Sequence, residues 1–261
     1  MQDSADYTRK KTFFDKVLTV YGRKPALEIL QDNTLQCHAL HLADNNREAG
    51  IIAELRKLAQ TRGVQVHEHS RTALSRISKN GKQDQGVAVD ILCPSFSSLA
   101  DFLPRLQQAT PSQRILALDG ITNPQNLGMI IRSAAAGRID AILWSRKGNA
   151  ALGPLVMKAS VGTLYKAPLV MCADLTEALQ ACRNAGARVC TLEANAEQSL
   201  FAYQPQSHCV YVLGNESEGV SRAVKAVADT ALSIPMANGV ESLNVAVTAS
   251  LIAYAGALRA R

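Results

Sequence analysis

The feature that most constrains the fold is a series of six short, continuously apolar segments that alternate with helical patterns from residue 114 onward. Such segments are typical of strands in a parallel sheet that is buried on both faces. The sequence therefore predicts an α/β domain in this half of the chain, a class of fold that favours a nucleotide-type ligand. The six segments are RILALD (114–119), AILW (141–144), KAPLV (166–170), ARVCTL (187–192), CVYVLG (209–214) and ALSIP (231–235).

Three stretches of this half run from an apolar segment into a loop of Asn, Gly, Glu or Ser and then into a helical pattern. Open α/β folds place ligand sites outside the carboxyl ends of their strands, which is where these loops are expected. The three loops therefore indicate an enzyme. The stretches are LALDGITNPQNLGMIIRSAAAG (116–137), VYVLGNESEGVS (210–221) and LSIPMANGVESLNVAVTASLIAYA (232–255).

Two common classes of nucleotide-binding enzyme do not fit these loops. The loop DGITNPQNLG (119–128) lacks the GxGxxG pattern of dinucleotide-binding folds. The loop GNESEGVS (214–221) has two glycines at P-loop spacing, but Val220 stands where the phosphate-binding lysine is needed. Glu216 and Glu218 would also repel a phosphate. A glycine loop that carries carboxylates suits a cationic or hydroxyl-rich ligand better.

The N-terminal part predicts a second, smaller α/β domain. We divide the chain into a polar extension (1–17), the small domain (18–92), a linker rich in Pro and Ser (93–112) and the larger domain (113–261). The linker can hold a short helix of its own. The elements predicted in the small domain are a helix over 21–32, a strand over 37–43, a helix over 47–63, a strand over 64–69, a helix capped by Ser70 and a strand over 86–92.

The net charge of +6 favours a polyanionic partner, and its distribution is more informative than its size. Two basic runs with few neighbouring acids lie in the N-terminal part of the chain. Each run alone is typical of a solvated face, whereas two runs in one small domain favour contact with RNA phosphates. The residues predicted to bind RNA are Arg23, Lys24, Arg71, Arg76, Lys79 and Lys82.

Other patterns limit the expected cellular compartment and the expectation of a metal site. The apolar run over 245–258 is shorter than the roughly 20 residues that span a bilayer, and no apolar signal region begins the chain, so we expect a cytoplasmic protein. No CxxC pair or Cys/His cluster predicts a metal site or disulfide framework. The cysteines are interpreted as small buried residues; they are Cys37, Cys93, Cys172, Cys182, Cys190 and Cys209. The histidines are interpreted as structural or solvated; they are His38, His41, His67, His69 and His208.

Three motifs, in order along the chain, resemble those of the SpoU (TrmH) class of RNA ribose 2'-O-methyltransferases in the SPOUT superfamily. The first, an Asn and a Gly followed by a helix with an Arg, is matched by Asn126, Gly128 and Arg132. The second, a strand end followed by a glycine loop, is matched by Leu213, Gly214, Asn215, Glu216 and Gly219. The third, a Pro-Met pair and then Ser-Leu-Asn entering a helix, is matched by Ile234, Pro235, Met236, Ser242, Leu243 and Asn244.

Two further segments carry the resemblance. The segment KASVGTLYKAPLV (158–170) is similar to the family's Ser-x-Gly-Ala stretch, with Thr163 where Ala is more usual. The segment YGRKPALEIL (21–30) resembles the start of the small RNA-binding domain that many members carry. The resemblance thus extends to both predicted domains.

The resemblance implies a deep trefoil knot near the C-terminus and a site for S-adenosylmethionine. The backbone around Gly214, Ile234 and Leu243 would hold the adenosine part, with Leu192 and Met236 as wall residues. The implied cofactor-binding residues are Leu192, Leu213, Gly214, Asn215, Gly219, Ile234, Pro235, Met236, Ser242, Leu243 and Asn244.

The resemblance also implies that Arg132 acts at the target ribose. A ribose hydroxyl is a poor nucleophile until its proton is withdrawn, and an ordinary arginine is always protonated. We therefore interpret Arg132 as positioning an RNA phosphate and stabilising oxyanion character, with the proton acceptor left open. A sulfonium is already activated, so no metal is expected. The other residues implied to shape the site are Asn126, which is also expected to cap its helix, Glu216, Ser242 and Asn244.

Three hypotheses for function follow. The first is an S-adenosylmethionine-dependent 2'-O-ribose methyltransferase acting on structured RNA, with rRNA favoured over tRNA by the added N-terminal domain. Guanosine is common among relatives, although no residue here identifies the base. The second is a tRNA-directed enzyme of the same class, and the third is an RNA-binding protein that keeps the fold without catalysis. A homodimer through the C-terminal region is expected.

Overall fold

The computed structural model describes residues 13–255, so most of the predicted extension over 1–17 lies outside the described residues. The chain divides into two compact units. The first comprises the described residues up to Pro94 together with 152–154, and the second comprises 95–151 and the residues from Leu155 onward. Each unit is built around its own sheet.

The first unit contains a four-stranded mixed sheet in the order β1-β4-β2-β3. Strand β4 runs antiparallel to both β1 and β2, whereas β2 and β3 are parallel. Its elements are β1 (Val17–Tyr21), α1 (Arg23–Gln31), β2 (Gln36–Ala43), α2 (Ile51–Thr61), β3 (Gln65–His69), α3 (Arg71–Ser78) and β4 (Val87–Leu92).

The sequence predicts this unit well, with two differences. Strand β1 was missed, because its five residues adjoin the polar extension; their alternating burial, with Leu18 and Val20 inside, identifies it as a sheet edge. Helix α2 begins at Ile51 and not at Arg47, since the polar residues before it form turns. The cap of α3 is confirmed: the Ser70 hydroxyl accepts a hydrogen bond from the Ala73 N–H at 3.3 Å.

The second unit contains an eight-stranded sheet in the order β10-β12-β9-β11-β6-β7-β8-β5, and every neighbouring pair is parallel. The predicted parallel α/β fold is thereby confirmed, and the trefoil knot stays a prediction. The elements are β5 (Ser97–Ser98), α4 (Leu99–Gln108), β6 (Arg114–Leu118), α5 (Pro124–Ala136), β7 (Ala141–Ser145), α6 (Pro154–Ser160), a 3₁₀ turn (Thr163–Lys166), β8 (Leu169–Cys172), α7 (Leu175–Asn184), β9 (Arg188–Leu192), β10 (Gln198–Ser199), β11 (Cys209–Leu213), α8 (Arg222–Val227), β12 (Thr230–Ser233) and α9 (Val245–Ala255).

The predicted linker over 93–112 contains two elements of this second unit. Strand β5 pairs with β8 at the sheet edge, and α4 carries Pro104 within its span. The helix is retained because Phe102 and Leu106 on its inner face are buried in the core of the unit. The structure thus places ordered, packed chain where the Pro and Ser content predicted a connection.

Helices α5 and α9 lie side by side and position two of the motif segments. The Ser133 and Ser250 hydroxyls are 2.8 Å apart across this contact. On the other side of α5, a Cβ added at Gly128 would lie 2.5 Å from the Ala159 Cβ and 2.7 Å from the Val156 carbonyl oxygen. The glycine of the first motif therefore permits close packing of α5 on α6.

The cysteines behave as the sequence predicts. All six are free, and each is buried or half-buried. Burial raises the pKa of the Cys93 and Cys182 thiols to about 12, which keeps both protonated at neutral pH. Within residues 13–255, the longest apolar helices are too short to cross a membrane.

Candidate functional site

Three loops meet at the carboxyl edge of the large sheet. They follow β6, β11 and β12, and β6 and β11 are direct neighbours. The Asp119 N–H donates to the Leu213 carbonyl at 2.9 Å, and the Asp119 carboxylate accepts from the Ser221 N–H at 2.7 Å. These bonds tie the loop of the first motif to that of the second.

Asn215 and Gly214 fix the shape of the loop after β11. The Asn215 side-chain amide donates to the Gly120 carbonyl at 2.8 Å, and its oxygen accepts from the N–H groups of Ser217 and Glu218. Asn215 and Gly219 exchange two backbone hydrogen bonds of 2.9 Å. A Cβ at Gly214 would overlap the backbone of Gly219, so glycine is required there.

A chain of side-chain hydrogen bonds joins residues of all three motifs. Asn126 donates to the Glu216 carboxylate at 2.5 Å, and the Asn126 oxygen accepts from the Asn244 amide at 3.2 Å. The expected capping role of Asn126 is wrong: Asn123 caps α5, accepting from the Gln125 N–H at 2.8 Å. The helix begins earlier because Pro124 suits its first turn, which leaves the buried Asn126 side chain for the network.

Asn149 supports the first loop and was missed by the sequence analysis. Its oxygen accepts from the Ile121 N–H at 2.8 Å, while its amide donates to the carbonyls of Leu118 and Ser145, each at 3.0 Å. The only sequence signal was a polar residue after the apolar segment AILW, and that signal does not identify a partner. Asn149 therefore positions the loop that enters α5.

The loops after β11 and β12, together with the end of β9 and the start of α9, form a pocket of about 480 Å³, and the loop after β6 is not on its lining. This size is within the range of small-molecule sites. The lining residues come from the strand ends, the loop after β11, the loop before α9 and the start of α9. They are Leu192, Glu193, Ala194, Leu213, Gly214, Asn215, Glu216, Ser217, Glu218, Gly219, Val220, Ile234, Met236, Glu241, Ser242, Leu243, Val245 and Thr248.

Comparison with known families identifies this arrangement. Residues 113–254 match the SpoU rRNA Methylase family, and residues 19–92 match the family of RNA 2'-O ribose methyltransferase substrate-binding domains. The chain belongs to the SpoU rRNA methylase family. The resemblance found in the three motifs is thereby confirmed. This family transfers methyl groups to RNA from S-adenosylmethionine, so the chain is an RNA methyltransferase with that cofactor.

Individual relatives agree with this membership. A Mycolicibacterium vanbaalenii protein that is named an uncharacterized tRNA/rRNA methyltransferase is 31% identical over 243 residues, which cover 93% of this chain and 76% of that protein. The SpoU methyltransferase AviRb from Streptomyces viridochromogenes, solved with S-adenosylmethionine, has the same fold, with a TM-score of 0.61, 21% identity and coverage of 100% and 95% of the two chains. A structure solved to study 2-OH methylation of C/U34 on tRNA is 30% identical with a TM-score of 0.51, and covers 58% of this chain and 99% of that one.

The pocket brings together most, but not all, of the residues implied by SpoU membership. Among the predicted cofactor residues, Pro235 and Asn244 are not on its lining. Of the predicted catalytic residues, Glu216 and Ser242 line it, and Asn126 and Asn244 stand behind Glu216 through the hydrogen-bond chain. The lining residues that the sequence analysis did not assign are Glu193, Ala194, Ser217, Glu218, Val220, Glu241, Val245 and Thr248.

The charge of the pocket fits the cofactor of SpoU enzymes. Every charged side chain on the lining is a glutamate: Glu193, Glu216, Glu218 and Glu241. Lys225 approaches only Glu193, at 3.4 Å. S-adenosylmethionine carries a sulfonium and an ammonium group, so an acidic pocket beside a glycine cradle is chemically suited to it.

Arg132 is exposed on α5 and is not on the pocket lining. It lies six positions after Asn126, on a different side of the helix. Its side chain is exposed on the surface of the second unit. Its action at the target ribose is a proposal that rests on the first motif.

Two of the six basic residues predicted to bind RNA, Arg23 and Arg71, form hydrogen bonds with other residues of the first unit. Arg23 donates to the Asn46 side chain at 3.0 Å and to the Gln85 carbonyl at 3.2 Å. Arg71 pairs with the buried Asp84 at 2.5 Å and donates to the Gly81 carbonyl at 2.7 Å. Both arginines therefore brace the segment before β4, a structural role that the charge pattern did not reveal.

Replacing Asn215 with alanine should destabilise the second unit and weaken cofactor binding. The change leaves the Gly120 carbonyl and the N–H groups of Ser217 and Glu218 without the side-chain partner. We expect the free energy of unfolding to fall by about 1–3 kcal/mol in denaturant titrations. Asn215→Asp is the matched control: it keeps the acceptor and should show a smaller loss, and equal losses would contradict the role of the oxygen.

Proposed function

We propose that this enzyme transfers a methyl group from S-adenosylmethionine to a ribose 2'-hydroxyl of structured RNA, with rRNA as the favoured substrate. The observation that carries the proposal is the chain of hydrogen bonds from Asn244 through Asn126 to Glu216, which joins residues of all three motifs beside an acidic pocket. A cytoplasmic location is part of the proposal, since rRNA and tRNA are the candidate substrates. Guanosine stays a further expectation.

The pocket residues have separate proposed tasks in this reaction. The backbone around Gly214, Ile234 and Leu243 holds the adenosine part, and Leu192 and Met236 form apolar walls. When bound, S-adenosylmethionine would supply a methyl group that is activated by its positively charged sulfur. A nucleophilic oxygen can attack the carbon of that methyl group. The acidic lining stabilises that positive charge.

Other residues have the proposed task of orienting the ribose 2'-hydroxyl and the RNA around it. Glu216 is held by Asn126, and Ser242 and Asn244 lie at the entrance of α9. Arg132 binds an RNA phosphate and stabilises negative charge that develops on the ribose oxygen. The acceptor of the hydroxyl proton stays open between Arg132 in an altered environment and a phosphate oxygen of the RNA.

A tRNA substrate is the second candidate, favoured by one observation. The relative studied for 2-OH methylation of tRNA is 30% identical and matches almost its whole length to this chain. That relative covers only 58% of this chain, whereas the match over 19–92 is to a substrate-binding domain. The added unit supports a larger structured RNA.

Methyl transfer to fractionated RNA separates these candidates. Labelled S-adenosylmethionine is incubated with the protein and with rRNA or tRNA from cells that lack the gene. We expect label in rRNA. Label confined to tRNA would favour the second candidate, and no label despite cofactor binding would favour an RNA-binding protein without catalysis.

We also propose a homodimer through α5 and α9. Met129, Val247 and Tyr254 on these helices are 41%, 47% and 43% exposed, which is unusual for large apolar side chains. Burying them against a second copy would remove apolar area from water. Light scattering at micromolar concentration should give twice the mass of one chain, and the mass of a single chain would contradict the proposal.

A further inference from the structure

The first unit contains a histidine cluster that the proposed reaction does not use. We name it the imidazole cluster and define it as His41 on β2 with His67 and His69 on β3. His41 and His67 are register partners, with ring centroids 5.5 Å apart, and the His41 and His69 centroids are 5.1 Å apart. His41 is buried, His69 is half-buried and His67 is exposed. The cluster thus runs from the interior of the sheet face to its surface.

The buried end of the cluster is fixed by hydrogen bonds. His41 Nε2 lies 3.1 Å from an oxygen of Asp90, and the other Asp90 oxygen accepts from the Thr19 hydroxyl at 2.7 Å. His41 Nδ1 lies 3.0 Å from Nε2 of His69. The chain from Thr19 to His69 orients the imidazoles through these hydrogen bonds, and the described residues include no group of three ligating side chains that could hold a metal ion.

The exposed end of the cluster is His67, which lies on the same face of the sheet as helix α3. Helix α3 covers the neighbouring part, where Leu74 packs on Ala43 and Ala88. His67 remains exposed beyond it. Imidazole rings at a protein surface can contact RNA in two ways. A neutral ring can stack on a base, and a protonated ring can bind a phosphate.

Within the cluster, His69 favours its neutral form in the free protein. Burial, and then the proximity of His41 and His67, lower the pKa of His69. Burial alone would raise the pKa of Asp90, but hydrogen bonds from His41 and Thr19 outweigh it, so the pKa of Asp90 is lowered and the carboxylate stays charged. The remaining titratable groups on adjoining elements are Cys37 and His38 on β2, Asp44 after β2, Tyr21 on β1, Glu68 on β3, and Arg71 and Arg76 on α3. Glu68 is paired with Arg56, and Arg71 is paired with Asp84.

We propose that the imidazole cluster is an RNA contact site of the first unit and that RNA binding there takes up protons. The inference rests on the proposed function, because it assumes that this unit binds the RNA substrate. RNA phosphates would favour the protonated imidazole, so the complex holds more protons than the free protein. The association constant for RNA must then fall as pH rises.

Fluorescence anisotropy with the full chain and a labelled RNA hairpin tests the proposal at constant ionic strength. Wild-type affinity should fall about threefold to tenfold between about pH 6 and pH 8, which corresponds to an average uptake of about a quarter to a half of a proton. The double variant His67→Gln and His69→Gln should bind RNA with less than about a twofold change over the same range. His208→Asn is the matched control: it keeps an acceptor for the Gln113 N–H and should retain the wild-type pH dependence.

A second measurement covers the case in which the double variant folds poorly. NMR titration of the imidazole protons in the wild-type protein should show the pKa of His67 or His69 rising when the hairpin is added. Unchanged pKa values, or a double variant with the wild-type pH dependence, would overturn the inference while leaving methyl transfer intact. Absence of RNA binding at every pH would overturn the proposed function and the inference with it.

Discussion

Arg132→Ala should lower the rate of methyl transfer by about 10² to 10³ while leaving the dissociation constant of S-adenosylmethionine within about twofold of the wild-type value. Arg132 is exposed and absent from the pocket lining, so its removal disturbs no contact with the cofactor. The loss is expected in the chemical step, because the proposed role of the guanidinium is to stabilise charge at the ribose oxygen and to hold a phosphate. Single-turnover transfer and isothermal titration measure the two quantities separately.

Two companion variants define what the loss means. Arg138→Ala removes another exposed arginine just after the same helix and should transfer methyl groups at the wild-type rate. Arg132→Lys keeps a positive charge without the planar fork of the guanidinium and should recover only part of the rate. Equal rates for the Arg132→Ala and wild-type enzymes would remove Arg132 from the mechanism.

Gly214→Ala should weaken binding of S-adenosylmethionine by about tenfold or more, equivalent to about 1.4 kcal/mol. An added Cβ would overlap the backbone of Gly219 and Val220, so the loop after β11 must open. Opening breaks the paired backbone bonds between Asn215 and Gly219 and removes the cradle beside the pocket. Overpacking of this kind also lowers stability by about 1–3 kcal/mol.

The control for this substitution is Arg222→Ala, which changes an exposed side chain just after the same loop and off the pocket lining. It should bind the cofactor within about twofold of the wild-type protein. A Gly214→Ala protein that binds as tightly as this control would show that the close approach of the two loop segments is not needed. Both variants are compared by titration calorimetry after their thermal unfolding has been measured.

The sequence predicts the parts of the fold that local patterns encode. The six apolar segments became six central strands of the parallel sheet, since a strand buried on both faces must be apolar along its length. The motif glycines also had local signals, and the structure explains why glycine occupies these positions. The absence of a Cβ lets α6 pack closely at Gly128 and lets the backbone of Gly219 and Val220 pack closely at Gly214. Strands β5 and β10 have two residues each and leave no periodic pattern to detect.

Contacts between distant residues could not be predicted in the same way. Asn149 acts through carbonyls in two other segments, and His41 bonds to Asp90, 49 positions away along the chain. Such partners depend on strand register, which the sequence does not specify for polar residues. The same limit explains why Arg23 and Arg71 were predicted only as RNA contacts, although their hydrogen bonds brace the loop before β4.

The most direct test of the central claim is the position of the transferred methyl group. RNA methylated by the purified enzyme is digested completely to nucleosides and analysed by mass spectrometry, with the Arg132→Ala protein as the comparison. We predict a single 2'-O-methylnucleoside whose yield collapses in the variant. A methyl group found only on a base, or a 2'-O-methyl yield that is equal in the two proteins, would contradict the account.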